Sequence, residues 1–204
     1  MRINSTNAIK YVIGFTLLTG TGLAISPKLK AQEPDTFEKS ECVVSTSGTS
    51  DSQILEQAPL PYFEVANVPQ QAKFVVDLSK NTLYKYDDFG NPTTAYLVAS
   101  GKKSTPTHTG IRRITHVEKY PYSNAPESSK RRKNPQDYGP RIIFLEKIDP
   151  ETGKTSSTGE FIHGNKNPKS LGQYASKGCV RMDNQVIKEL AQEVKKGDYV
   201  LIIE

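Results

Sequence analysis

Short alternations of apolar and polar residues recur from position 72 onward. "FVVDL" (Phe74–Leu78) and "TLYKY" (Thr82–Tyr86) have the period of half-buried strands, with Leu83 read as opposed to Lys85. "DDFGNP" is a turn cluster, and "TTAYLVAS" (Thr93–Ser100) predicts the next strand. β-Branched alternation returns in "IRRITHVEKY", "RIIFLEKI", the short "EFIHG" and the closing "YVLIIE". Between them lie two turn-rich stretches, "GKKSTPTHTG" and "DPETGKTSSTG". One segment has the helical period. In "DNQVIKELAQEVKKGD", Asp183 or Asn184 caps the start, Val186, Ile187, Leu190 and Val194 form the apolar stripe, and Gly197 stops it. The pattern predicts a mainly β domain, sandwich-like or barrel-like, with one main C-terminal helix.

Two stretches break this rhythm. Residues 32–71 are rich in Ser, Thr, Pro, Glu and Gln with no sustained apolar period, and are read as a flexible linker, with "QILEQAPLPYF" able to pack onto the domain. Pro121 to Arg141 is long, polar and Pro-containing, with four successive basic residues, Lys130 to Lys133. A loop of that length inside a compact domain is functional or disordered.

The N-terminus changes the meaning of the charge. Arg2 and Lys10 precede the 15 uncharged residues Tyr11–Ile25, a run shorter than the ~20 apolar residues of a membrane span. With "KLKAQ" behind it, this reads as a signal peptide over residues 1–31, or as an N-terminal membrane anchor if it stays uncleaved. Either way the remainder is expected to be exported, to the periplasm or cell envelope. Residues 1–31 hold four basic side chains and no acid, so removing them takes the formal net charge from +5 to +1. The basic balance therefore belongs mostly to the export signal and does not suggest a nucleic-acid partner. Any membrane contact would run through this segment alone.

Two cysteines, Cys42 and Cys179, are too few for a disulfide framework. Cys42 falls in the linker. Cys179 lies in "ASKGCVRM", and its surroundings are those of a reactive thiol. Lys177 and Arg181 supply positive charge, and a helix start close behind would aim backbone N–H groups at the sulfur, all of which favours thiolate. Gly178 permits close approach of a carbonyl, and the N–H groups of Gly178 and Cys179 suit an oxyanion. His163, 16 residues upstream at a strand end, is the candidate imidazole partner. The three histidines and two cysteines show no metal-ligand spacing, so no metal is expected.

Taken together, "FIHGNKNPKSLGQYASKGCVRMDN" resembles the signature of the L,D-transpeptidase (YkuD-like) catalytic domain family. His163-Gly164, Pro168, Leu171-Gly172, Ser176, Gly178, Cys179, Val180 and Arg181 occupy the motif positions. "VVDLSKNTLYKY", "SGKKSTPTHTG" and "VKKGDYVLI" look like the family's first hairpin, its Thr-Pro loop and its closing strand, so the resemblance covers residues 72–204. Many members carry a second His before the Gly-Cys pair; Lys177 stands there in this chain.

The resemblance implies action on peptidoglycan stem peptides. Cys179 would be the nucleophile, attacking the L-centre carbonyl of a diamino acid and expelling the terminal D-Ala. His163 would move the proton. Gly164, Ser176, Lys177, Gly178 and Arg181 would bind substrate or support the site, Ser176 by steadying His163 and Arg181 by holding the Cys turn or a carboxylate. An amine of a second stem peptide would resolve the thioester into a 3→3 cross-link. A wall-anchored lipoprotein could serve as acceptor instead, and water would make the protein an L,D-carboxypeptidase. No cofactor is implied. A non-catalytic peptidoglycan-binding domain of the same fold is the remaining alternative. The basic run at 130–133 is either a solvated loop or a contact for anionic wall polymer. A sortase-like reading lacks its Thr-Leu-x-Thr-Cys strand, and papain-like hydrolases place Cys ahead of His, the reverse of the order here.

Overall fold

A computed structural model describes residues 51–204; the segment expected to direct export and Cys42 lie outside them. The elements run α1 (Asp51–Glu56), β1 (Tyr62–Val65), β2 (Val68–Gln71), β3 (Phe74–Asp77), β4 (Thr82–Tyr86), β5 (Pro92–Leu97), β6 (Ser100–Gly101) and β7 (Gly110–Lys119). They continue with α2 (Lys130–Lys133), β8 (Arg141–Ile148), β9 (Thr155–His163), β10 (Tyr174–Ser176), β11 (Val180–Arg181), α3 (Asn184–Glu193) and β12 (Tyr199–Ile203). Eight strands form one sheet in the order β11-β9-β8-β7-β12-β3-β4-β5. β12 enters its middle, antiparallel to β7 and parallel to β3, while β11 joins β9 in parallel at the edge. This is the mainly β architecture with one main helix that the alternation predicts.

The main core lies on one face of the sheet. Phe74, Val76, Leu83, Ile114, Ile143, Ile162, Val180, Val200 and Ile202 meet there, and α3 packs Ile187 and Leu190 onto them. Asp183 caps α3 by accepting from the N–H groups of Gln185 and Val186, as the sequence predicts. The helix ends at Glu193, ahead of Gly197, which sits in the following turn at φ +100°. Leu83 and Lys85 share a face rather than opposing each other, and Lys85 reaches Glu193 at 2.8 Å.

The opposite face is covered in two places. Over β3, β4 and β12 lie Ile54, Ala58 and Phe63, packed on Val75, Tyr84 and Tyr86. Residues 51–71, expected as linker, thus carry α1 and the β1–β2 hairpin. Their signal is weak because each element is short and one hairpin face stays polar. Over β7–β9 lies the long loop from Tyr120 to Pro140, which is ordered. Tyr122 and Ala125 pack on Ile142, with Tyr138, Phe144 and Phe161 around them, and the Tyr122 hydroxyl donates to Gly139 O at 2.5 Å. Arg131 clasps Glu118 through Nε at 2.6 Å and Nη2 at 3.0 Å, and its guanidinium lies 5.1 Å from the Phe144 ring centroid. Arg132 donates to the carbonyls of Ser123 and Ala125. Two members of the basic run therefore fasten the loop to the sheet and to itself.

Candidate active site

Register builds the site. Phe144 pairs with His116 on one side and Phe161 on the other. Two residues further along, Ile142 lies between Glu118 and His163, and His163 pairs with Arg181. Alternate residues of a strand point to one face, so Phe161, His163 and Arg181 all face the long loop, while Ile162 and Val180 face the core. Cys179 precedes Val180 and falls on the same side as Arg181. Its half-buried sulfur accepts the Phe161 backbone N–H. The sequence-predicted Cys179, His163 and Arg181 are thus brought to one patch of sheet.

His163 is fully buried, and its Nδ1 lies 2.6 Å from the Gly164 carbonyl. A carbonyl only accepts, so Nδ1 carries the proton and Nε2 keeps its lone pair. Burial lowers the His163 pKa to about 4; the Gly164 carbonyl and Asp137 pull upward, and Arg181 adds to the lowering. The imidazole is therefore neutral at neutral pH. Tyr138 caps it, with ring centroids 5.1 Å apart. Gly164 is required where it stands. A Cβ there would lie 2.4 Å from Asn184 Oδ1 and 2.9 Å from the Gly139 Cα, so the two glycines pack back to back.

The thiol departs from expectation. Burial raises the Cys179 pKa, and the Glu160 carboxylate raises it further, against the Phe161 N–H and Arg181. Lys177 is exposed and is not among the causes of the shift. α3 starts five residues downstream at Asn184, with β11 between, and is not among the causes of the shift. Burial thus favours the neutral form of both the thiol and the imidazole over an ion pair.

Ser176 and Gly178 shape the Cys turn. Ser176 Oγ donates to Cys179 O at 2.5 Å and accepts from Gly178 N at 3.1 Å. Ser176 therefore supports the turn and not His163, and the Gly178 N–H expected to face an oxyanion is already engaged. Gly178 sits at φ +106°, a backbone region that favours glycine. Its carbonyl accepts from Thr107 Oγ1 at 2.8 Å, and Ser176 O accepts from Thr105 Oγ1 at 3.3 Å. The Thr-Pro loop thus braces the turn from outside.

Arg181 holds its backbone against Ala99 through two bonds, N to O at 2.8 Å and O to N at 2.9 Å. Its Nε is buried with no hydrogen-bond partner among the described residues. A buried cationic donor left unsatisfied is costly, and this one can accept an incoming carboxylate or an oxyanion. Sequence reasoning missed Tyr138, Phe161, Asn184 and Thr107. Phe161, Asn184 and Thr107 lie in stretches the motif covers, but their contribution to the site, like that of Tyr138, arises from cross-strand register and loop packing.

A mainly β domain with a cysteine and an oriented histidine on one sheet face, roofed by a long loop, is an arrangement suited to cysteine acyl transfer. The model of the YkuD family, the L,D-transpeptidase catalytic domain, matches residues 71–202, and the chain belongs to this family. The YkuD protein of Bacillus subtilis (strain 168) is 51% identical over 41 residues, covering 20% of this chain and 25% of that protein. Its counterpart in Bacillus licheniformis is 49% identical over 41 residues, with the same coverage. The matches span a quarter of the length of these curated relatives. Among solved structures, similarity extends to an L,D-transpeptidase from Mycobacterium tuberculosis H37Rv (18% identity, TM-score 0.48, 64% of this chain and 57% of that one). It extends also to Bd1075 of Bdellovibrio bacteriovorus (22%, TM-score 0.49, 71% and 52%). A third is the catalytic domain of the Enterococcus faecium L,D-transpeptidase (24%, TM-score 0.44, 65% and 97%).

Proposed function

We propose that this protein is an L,D-transpeptidase of peptidoglycan stem peptides, working through a thioester on Cys179. The observation that carries this reading is the placement of Cys179, of His163 locked through Nδ1, and of the unpartnered Arg181 Nε on one sheet face. In the acylation step the Cys179 sulfur attacks the L-centre carbonyl of the diamino acid as its proton passes to His163 Nε2. The carbon–nitrogen bond to the terminal D-Ala breaks, and the leaving amine takes the proton back from His163. Arg181 Nε receives a carboxylate oxygen of the donor peptide or the developing oxyanion. Because both resting groups are neutral, proton transfer accompanies attack rather than preceding it. Gly178 and Ser176 hold the turn, and Gly164 fixes the imidazole. Lys177, exposed beside the turn, is placed to meet an acidic substrate group.

The amine of a second stem peptide resolves the thioester into a 3→3 cross-link. A lysine of a wall-anchored protein is a second possible acceptor, and water a third, giving L,D-carboxypeptidase activity. Residues 1–31 deliver the catalytic domain to the cell envelope, as a cleaved signal or an anchor. The test is incubation of the protein with disaccharide-tetrapeptide and analysis of the products. Cross-linked dimer with free D-Ala is expected. Tripeptide alone would assign a carboxypeptidase, and unchanged substrate across several diamino-acid variants would favour a wall-binding domain without catalysis.

A further inference from the structure

The side chain of His108 is 74% exposed, yet it is held as firmly as the buried His163. Its Nδ1 lies 2.9 Å from Glu160 Oε1, and its backbone N–H donates to the same oxygen at 3.1 Å. Glu160 is buried and clamped from the other side. Arg112, with a side chain only 1% exposed, donates to Oε2 from Nε at 3.1 Å and from Nη2 at 2.9 Å. Nη2 also donates to His108 O at 2.9 Å, closing the network onto the loop it serves. A buried ion pair of this kind is weak evidence for stability, because desolvation offsets most of its attraction. It fixes geometry instead. The carboxylate accepts, so Nδ1 of His108 bears the proton and Nε2 faces outward with its lone pair free.

This second imidazole belongs to the Cys179 neighbourhood by two routes. Thr107, its chain neighbour, donates to Gly178 O at 2.8 Å. Glu160, its anchor, immediately precedes Phe161, whose N–H reaches the Cys179 sulfur, and the Glu160 charge is felt at that sulfur. Gly159, at φ +69°, lies at the irregular stretch of β9 where Glu160 turns toward the loop. The buried His163 lies under Tyr138 of the long loop. His108 stands on the side of the Thr-Pro loop, open to solvent.

We propose that His108 is a second catalytic base, serving the acceptor half of the reaction while His163 serves acylation. The inference rests on the acyl-transfer reading of Cys179 given above. In this step the neutral amine of the acceptor attacks the thioester carbonyl and a carbon–nitrogen bond forms. The carbon–sulfur bond breaks, returning its electron pair to Cys179. The proton lost by the amine passes to His108 Nε2, and then to water or to the sulfur. Glu160, itself held by Arg112, keeps the imidazole oriented through the step.

The reaction has two steps that can be timed separately. Protein mixed with a tetrapeptide donor is followed by D-Ala release and by the mass of the acyl-enzyme; a stem-peptide amine is then added and decay of the adduct is followed. In His108→Ala, the D-Ala burst is expected to stay within about twofold of wild type, while aminolysis falls about a hundredfold, within the range of a lost general base. Added imidazole is expected to restore part of that rate. His108→Gln keeps a donor to Glu160 and supplies no base, so it too is expected to be slow. Aminolysis at the wild-type rate in either variant overturns the proposal, as does full recovery in His108→Gln, which would make the residue a brace for the loop. If wild-type protein forms no acyl-enzyme at all, the acyl-transfer reading itself fails and this inference falls with it.

Discussion

At the residue scale the dyad is the point of interest. Two groups on one sheet face are both pushed by burial toward their neutral forms: His163 down to about 4, Cys179 upward. A thiolate waiting at rest would alkylate faster than free cysteine near neutral pH, which is what Lys177, Arg181 and a nearby helix start suggest from sequence. Burial of both groups argues for the opposite outcome. Iodoacetamide is expected to label Cys179 more slowly than free cysteine at pH 7; faster labelling would restore the ion pair. The acylation rate is expected to need His163 unprotonated, so it holds level down to about pH 5 and falls through about 4. An acid limb near 6.5, the ordinary histidine value, would contradict the buried neutral imidazole. His163→Ala is expected to slow acylation by roughly a hundredfold or more, the contribution of a general base, measured as the rate of D-Ala release. The identities of Cys179 and His163 were legible because a motif carries residue types and order. Their ionisation was not, because it depends on how Tyr138 and the loop above them bury the pair, and that loop lies outside the motif.

At the element scale the strands were readable and the loop was not. β3, β4, β7, β8 and β12 each bury alternate side chains on a continuous core, so their period shows in the sequence. The loop from 120 to 140 contributes Tyr122, Ala125 and Tyr138 at spacings that match no regular element, and its cationic run reads as a solvated face. Only folding reveals that Arg131 closes on Glu118 and Phe144. The loop meets the site at one narrow point, where Gly139 at φ +66° lies against Gly164. A Cβ at 139 would come 2.7 Å from the Gly164 Cα and 2.4 Å from Asn184 Oδ1. Gly139→Ala is therefore expected to lower stability by about 2–4 kcal/mol, from backbone strain plus overpacking, and to disturb the His163–Gly164 contact. A denaturation midpoint within error of wild type would show that the loop yields more easily than this packing implies. The hairpin and α1 ahead of β3 were missed for a related reason: their apolar residues, Ile54, Ala58 and Phe63, become meaningful only against Tyr84 and Tyr86.

At the scale of the whole molecule, the buried histidine ties folding to pH. Its folded pKa lies below its unfolded one. As pH falls from about 6.5 toward 4, the unfolded chain takes up a proton that the folded chain refuses, and stability is lost across that window. The full shift corresponds to about 3 kcal/mol. His163→Gln is expected to flatten this part of the profile, measured by urea denaturation at pH 7 and pH 4.5; parallel profiles for the two proteins would mean that His163 is more solvated than its position indicates. Cys42 falls outside the catalytic motif, and Cys42→Ser is expected to leave turnover unchanged, measured as D-Ala release.

The central claim is that this domain carries an acyl group on Cys179. The most direct measurement is intact-protein mass spectrometry of the purified chain mixed with a disaccharide-tetrapeptide, beside Cys179→Ala. The account predicts an adduct of the donor less D-Ala in wild type, and none in the variant, with both proteins folded. An adduct that persists in Cys179→Ala, or D-Ala released equally by both, would contradict it.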